Sequence, residues 1–405
     1  YNTGWMNGDI KLATLSDTDT ANVTGAGNLI TDPSSFTDSN GLITETSGVI
    51  SASGADTYIH TGVTTVLGQR YYAEVNHTAG STCTFSVVDA PETTTIVSQS
   101  GLTGAGVVKL YFTGNGSTVK FRFTNNNTFT IQDIGIYAMV EDRSVNGNGL
   151  QVFGTVTKNP VATGADLVAY SGFSASNYLE QPANTDLDFG TGDFCAMGWF
   201  KSNTGSGLNE PLFFRGLTDT NSYAMIEPYI RADGKVDVLT RNAAEGTSVF
   251  TTTTNILTQS WVQWCMVRRS GVMYFYVNGV LSGSAANTRN VTPSTSAKKI
   301  LRIGAAQGLN KPIPGSIALF RISATAPSPE QIAKIYNDEK HLFQENAQAT
   351  LYGSSDAVTA LAYDDTTELL HVGTSAGRSV FQGLRRVDNT TDAITAAISA
   401  SNGLV

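Results

Sequence analysis

Apolar and polar residues alternate with a period of two through much of this chain, the pattern of strands that bury one face. The alternation is plain from Trp261 to Gly279, where two apolar runs, Trp261–Val267 and Val272–Val277, flank the short turn Arg268-Arg269-Ser270-Gly271. In the second run Met273, Phe275 and Val277 share one face, with Tyr274 and Tyr276 on the other. Asn278-Gly279 supplies another tight turn before Val280. The spacing predicts a two-sided antiparallel hairpin. Further up the chain, alternating runs at Arg70–Val75, Thr82–Val88, Val107–Phe112, Thr118–Phe123 and Phe129–Ala138 are separated by Gly, Asn, Asp and Ser. They predict a β-sandwich. A helical period takes over at Ser328-Pro329-Glu330-Gln331, a capping box that precedes Ile332, Ile335, Tyr336, Leu342 and Phe343. It predicts an amphipathic helix over 329–346. Strand spacing returns at Val358–Tyr363, Leu369–Val372 and Ser379–Gln382.

The expected fold is all-β: two β-sandwich domains in series, one C-terminal amphipathic helix, and short β segments at both ends. Residues 1–27 read as a β segment and linker, 28–140 as the first sandwich and 141–167 as a connector. Residues 168–326 form the second sandwich, 327–348 the helix and 349–405 a C-terminal β segment. The first piece is too short to fold alone and must lean on another part of the structure. The chain opens on Tyr1 and reads as a processed product or part of something longer.

Composition fits this picture and narrows the function. Only 15% of the 405 residues are charged and 40 are glycine, a profile of strands and turns. No apolar run reaches the roughly 20 residues of a membrane helix, so membrane insertion is not expected. The formal charge of −9 argues against nucleic acid as a partner. Cys83, Cys195 and Cys265 show no metal-type spacing. They read as buried thiols, with a Cys195–Cys265 disulfide as the alternative.

Several motifs resemble known families. Phe173–Glu180, Leu187–Phe194, Met197–Lys201, the hairpin above, Leu301–Gly304 and Gly315–Ile322 run in the order seen in laminin-G-like, concanavalin A-like jelly rolls. Residues 28–140 resemble the carbohydrate-binding-module-like sandwiches of phage fibres. The matching text is an opening Asn28-Leu29-Ile30, Gly68-Gln69-Arg70-Tyr71 and Gln132-Asp133-Ile134-Gly135-Ile136. This module has no Trp, the stacking platform that glycan-binding relatives often carry. The C-terminal text is similar to one blade of a propeller, and one blade needs neighbours to bury its faces. The order of modules resembles a bacteriophage tail-fibre or other virion structural protein. That resemblance implies a virion location, other virion proteins as partners and a homo-oligomer, most plausibly a trimer.

Few residues of the chain are spaced for chemistry. A glycoside hydrolase needs two carboxylates facing one cleft, and the strand runs offer single acids such as Glu227 and Asp237. His60, His77, His341 and His371 show no metal-ligand spacing. The positions where the resemblance implies calcium-binding acids are Ser174 and Ala318, with Leu319 beside the latter. Hard cations need several oxygen donors, so no metal or other cofactor is expected, with calcium held by carbonyl-rich loops elsewhere as the alternative. For host-surface polysaccharide the candidates are Tyr223, Tyr229, Arg231, Arg241, Tyr274 and Tyr276. Aromatic rings stack on sugars, and guanidinium groups bind their hydroxyls. The expected function is non-enzymatic glycan recognition or adhesion. A purely structural virion part and a polysaccharide depolymerase are the alternatives.

Overall fold

The computed structural model describes residues 9–30, 43–46, 49–52, 56–124, 129–203, 209–216, 224–242, 244–293, 299–306, 308–348, 358–374, 377–383 and 385–390. Two strands lead, β1 (Ile10–Thr14) and β2 (Val23–Ala26). The first sandwich holds β3 (Ile43–Thr46), β4 (Val49–Ala52), β5 (Asp56–Thr64), β6 (Arg70–Asp89), β7 (Thr95–Thr113), β8 (Thr118–Thr124) and β9 (Phe129–Val140). The second begins with β10 (Leu150–Pro160), β11 (Val168–Ser171), β12 (Tyr178–Gln181), β13 (Phe194–Ser202), β14 (Glu210–Pro211) and β15 (Phe214–Arg215). It continues through β16 (Ala224–Ile230), β17 (Val236–Asn242), β18 (Gly246–Thr251), β19 (Val262–Arg269), β20 (Val272–Val277), β21 (Val280–Ala286), β22 (Leu301–Ile303) and β23 (Gly315–Ser323). Helix α1 (Pro329–Glu339) follows, then β24 (Val358–Asp364), β25 (Leu369–Thr374), β26 (Gly377–Gln382) and β27 (Arg385–Thr390).

In the first sandwich the long β6 serves both sheets. Its first half pairs with β9 (Tyr72↔Tyr137) and its second half with β8 (Phe85↔Phe123), while β7 runs along the whole of it. The inward residues Ile59, Phe85, Phe121 and Ile136 are fully buried. The second sandwich has one sheet ordered β1-β23-β13-β19-β20-β21. Its other sheet runs β18-β17-β16-β15-β22-β12-β10-β2. Trp264, Phe213, Phe320 and Phe275 meet at its centre, with Phe213 and Phe320 edge to face at 5.5 Å.

Two stretches read as peripheral belong to this second sandwich. β1 pairs with its closing strand β23 (Thr14↔Phe320), and β2 pairs with β10 (Thr155↔Thr24). The first sandwich is therefore held between strands of the second. Within 141–167, read as a connector, β10 carries both sheets onward, pairing with β12 at one end and β11 at the other. Lys158 on β10 is buried and ties the leading segment down, with Nζ 2.8 Å from Asp17 Oδ2 and 3.4 Å from Asp19 Oδ2. The polar text Ser16–Thr20 reads as a linker, but its carboxylates Asp17 and Asp19 meet a buried ammonium.

The opening hairpin forms with a tighter turn than expected. Arg269 pairs with Val272, so the turn is Ser270-Gly271 alone, at φ 51° and 76°. Asn278-Gly279 repeats that left-handed pair at 51° and 78°. Arg268 belongs to the strand and is fully buried, donating to the carbonyls of Gly190, Gly192 and Arg289 at 2.7 Å each. At the helix, Ser328 Oγ accepts from Gln331 N and Gln331 Oε1 accepts from Ser328 N (2.8 Å), closing the box. α1 ends at Glu339 and a 3₁₀ turn carries helical geometry to Phe343. β24–β27 form a separate antiparallel sheet, and every residue of β24 is exposed.

Candidate functional site

Of the six residues expected to bind glycan, the five described do not form one site. Tyr223 lies outside the described residues. Tyr229, Arg231 and Arg241 lie at the β16–β17 pair. Its register sets Tyr229 opposite Asp237 and Met225 opposite Arg241, four positions along the strands. Their polar groups already serve one another. Tyr229 OH donates to Asp237 Oδ2 at 2.9 Å, and Thr251 Oγ1 donates to Asp237 Oδ1 at 2.5 Å. Arg231 sits 3.5 Å from the same carboxylate and 3.3 Å from Asp233, while Arg241 Nε donates to Thr247 at 3.0 Å. Burial and the neighbouring Asp237 push the Tyr229 phenol up to about 12.

Tyr274 and Tyr276 prove to be packing residues. Tyr276 is buried against Ile332 and Ile335 of α1, together with Cys195, Met197, Cys265 and Val267. Tyr274 borders the same cluster under the Arg269 guanidinium, 5.0 Å from its ring. The thiols Cys195 and Cys265 meet in this layer, 3.6 Å apart and both free. Ser174 and Ala318 also have structural roles. Ser174 Oγ accepts from Asn177 N at 3.0 Å, and Ala318 is buried opposite Trp199.

Glu227 and Asp237, single acids on separate strands in the sequence, are brought together by the strand register. Glu227 faces Leu239 and Tyr229 faces Asp237, so Glu227 and Asp237 are diagonal neighbours on one face, about 7–8 Å apart by sheet geometry. Burial raises the Glu227 carboxyl above its ordinary range, against the pull of Lys311 and Arg241. Asp237 has both oxygens engaged, as described above.

A groove forms elsewhere, along the seam between the sandwiches. It encloses ≈ 230 Å³ and takes Tyr72, Lys109 and Tyr111 from the first sandwich, Asn148 from the link, and Gln181 and Asn184 from the second. Strand register builds its aromatic side. Tyr72 is opposite Tyr111 on β7 and opposite Tyr137 on β9; Tyr72 and Tyr111 line the groove, and Tyr137 supports Tyr72 from the next strand. Ring centroids are 5.9 Å apart for Tyr72–Tyr111 and 4.7 Å for Tyr72–Tyr137, the latter stacked. Gly135 makes this possible, since a Cβ there would lie 2.4 Å from the Tyr137 ring. Gly149 lets the link lie close, since a Cβ there would meet Met139 Cε at 1.9 Å.

The polar side is built by the second sandwich. Gln151 Nε2 donates to Tyr72 OH at 2.5 Å, orienting the phenol. Gln181 Nε2 donates to Asn148 O at 3.0 Å, while its buried Oε1 has no partner among the described residues. Tyr111 stays 38% exposed, so its ring is available at the rim. The expected motif tyrosine, Tyr71, is a core residue whose OH accepts from Val66 N at 2.9 Å. Its neighbour Tyr72, on the opposite face, is the one that reaches the groove. A second seam cleft of ≈ 180 Å³ is bordered by Asp17, Asp19, Lys158, Arg143, Arg70 and Tyr170. Its acids and bases largely neutralise one another.

The fold places residues 173–333 in a defined class. They match the Laminin_G_3 family model, the concanavalin A-like lectin/glucanases superfamily. Among solved structures the chain is similar to domain 4 of AbnA, a GH43 extracellular arabinanase from Geobacillus stearothermophilus, in complex with arabinotriose. That likeness has 20% identity and a TM-score of 0.40, covering 48% of this chain and 92% of that one. It is also similar to the Ruminococcus gnavus IT-sialidase CBM40, at 13% identity and a TM-score of 0.32, over 36% of this chain and 84% of that one. The binding domain of Paraclostridial Mosquitocidal Protein 1 is similar at 13% identity and a TM-score of 0.40, over 63% and 65% of the two chains. No curated protein matches the chain.

Proposed function

We propose that this chain is a non-enzymatic glycan-recognition protein whose binding site is the seam groove. The observation that carries this reading is the pair Tyr111 and Tyr72, the latter stacked on Tyr137, lining one groove with the amides of Asn148, Gln181 and Asn184. A saccharide presents an apolar face to rings and hydroxyls to amides, and this groove offers both at one place. In its finer form the reading is a bacteriophage tail fibre that displays the groove to host-surface polysaccharide from the virion. Copies of the chain, most plausibly three, act together through multivalency. The exposed β24 supports assembly, since a lone blade needs neighbours to cover it.

The non-enzymatic part of the reading is supported by the surroundings of Asp237. In a depolymerase using Glu227 and Asp237, the second acid must attack or activate water. Here its oxygens accept from Tyr229 and Thr251 and lie beside Arg231, the setting of a fixed structural carboxylate. The test is a glycan array probed with the full chain, since residues 168–326 alone lack β1, β2 and β10. Saturable binding without release of reducing ends is expected. A blank array, or reducing ends that disappear in Glu227→Gln, contradicts the reading.

A further inference from the structure

Sugar hydroxyls are matched by amides, whereas sugar carboxylates call for guanidinium or unpaired ammonium groups. The groove wall carries one cation among the described residues, Lys109. Its ammonium is engaged 3.0 Å from Glu74 and lies 5.3 Å from the centre of the Tyr72 ring. Carboxylates stand behind the amide wall. Asp186 Oδ2 accepts from Asn148 Nδ2 at 2.6 Å, and Asp142 Oδ2 accepts from Asn148 N at 2.8 Å. A guanidinium also stands there, Arg215 donating to Asn184 O at 3.0 Å, but it is paired with Asp188, and the acids bear on the nearby phenols. Burial and then Glu74 and Asp142 raise Tyr111, while burial and then Glu74 and Asp133 push Tyr137 up to about 12. Gln181 Oε1 is a buried acceptor, matched to a hydroxyl donor and opposed to a carboxylate. The chain's charge of −9 adds to the same bias.

We propose that the groove selects uncharged glycans and discriminates against sialylated and uronic-acid chains, an inference that rests on the groove being the saccharide site. The test titrates the full chain with neutral and acidic oligosaccharides that include matched pairs: lactose with sialyllactose, and trigalacturonate with its carboxyl-reduced trimer. Neutral members are expected to bind, with each acidic counterpart weaker by about tenfold or more. Rising salt narrows the gap. Glu74→Gln, which releases Lys109, narrows it as well, and Tyr111→Ala weakens neutral binding by about tenfold or more. Acidic members that bind as well as neutral ones overturn this inference and leave the glycan reading standing. Neutral binding that survives both Tyr111→Ala and Tyr72→Ala overturns the assignment to the groove. Failure of every oligosaccharide to bind overturns the glycan reading itself.

Discussion

Two pairs of tyrosines point away from the cores of their sandwiches, and they meet different fates. Tyr274 and Tyr276 stand on the outer face of β20, where α1 lands and buries Tyr276. The helix is fixed there by Glu339, fully buried, which accepts from Trp199 Nε1 at 2.7 Å and pairs with Arg321 at 2.5 Å. Tyr336 and Phe343 stack on Trp199 from above. Tyr72 and Tyr111 stand on the outer face of the first sandwich, where the neighbour is the loop at Gln181–Thr185, which leaves a groove. Alternation along a strand tells which side chains face outward. It does not tell what arrives to cover them.

The comparison breaks most severely at Glu339. Replacing it with alanine leaves Arg321 buried beside an empty site, and about 3–5 kcal/mol of stability should be lost in urea unfolding. Glu339→Gln, which keeps an acceptor for Trp199, should cost less. If Glu339→Ala unfolds like the wild type, the helix is not held as described. Next comes the groove. Tyr111→Ala should weaken oligosaccharide binding by about tenfold or more, near 1.4 kcal/mol, with an unchanged melting temperature. Tyr274→Ala should show the reverse, a lower melting temperature and intact binding.

Smaller effects are expected at the β16–β17 face. Tyr229→Phe deletes one hydrogen bond to Asp237 and should cost about 1 kcal/mol in stability, leaving oligosaccharide binding unaltered in calorimetry. A loss of binding there would return the site to the sheet face. The smallest effect is a pH dependence at Asp17. Burial raises this carboxyl, but Lys158 and the N–H groups of Asp19 and Thr18 outweigh it and hold the group below the ordinary 3.8. A group lowered on folding contributes stability above its unfolded value and loses it as pH falls through the folded one. The stability difference between wild type and Asp17→Asn should therefore be full at neutral pH. It should shrink as the solution is acidified below 3.8, as followed by urea midpoints.

What the sequence made legible was local. The capping box at Ser328 and Gln331, the hairpin about Ser270-Gly271 and the inward face of β20 depend on neighbours within a few residues, and the structure holds them nearly as read. What it concealed was long-range pairing. β1 finds β23 across the whole first sandwich and nearly all of the second, and no pattern within Ile10–Thr14 names that partner. The tyrosine row was hidden for the same reason, because three separate strands supply it and only their register aligns the rings. A usable signal was present all the same: Tyr72, Tyr111 and Tyr137 each occupy an outward position of an alternating run.

Recognition at the seam is tested most directly by tyrosine-selective ring labelling and NMR, with a bound oligosaccharide as the perturbant. The ring signals of Tyr72, Tyr111 and Tyr137 should shift together and saturably, while those of Tyr229, Tyr274 and Tyr276 stay in place. Shifts confined to Tyr229, with the seam tyrosines silent, would contradict the account.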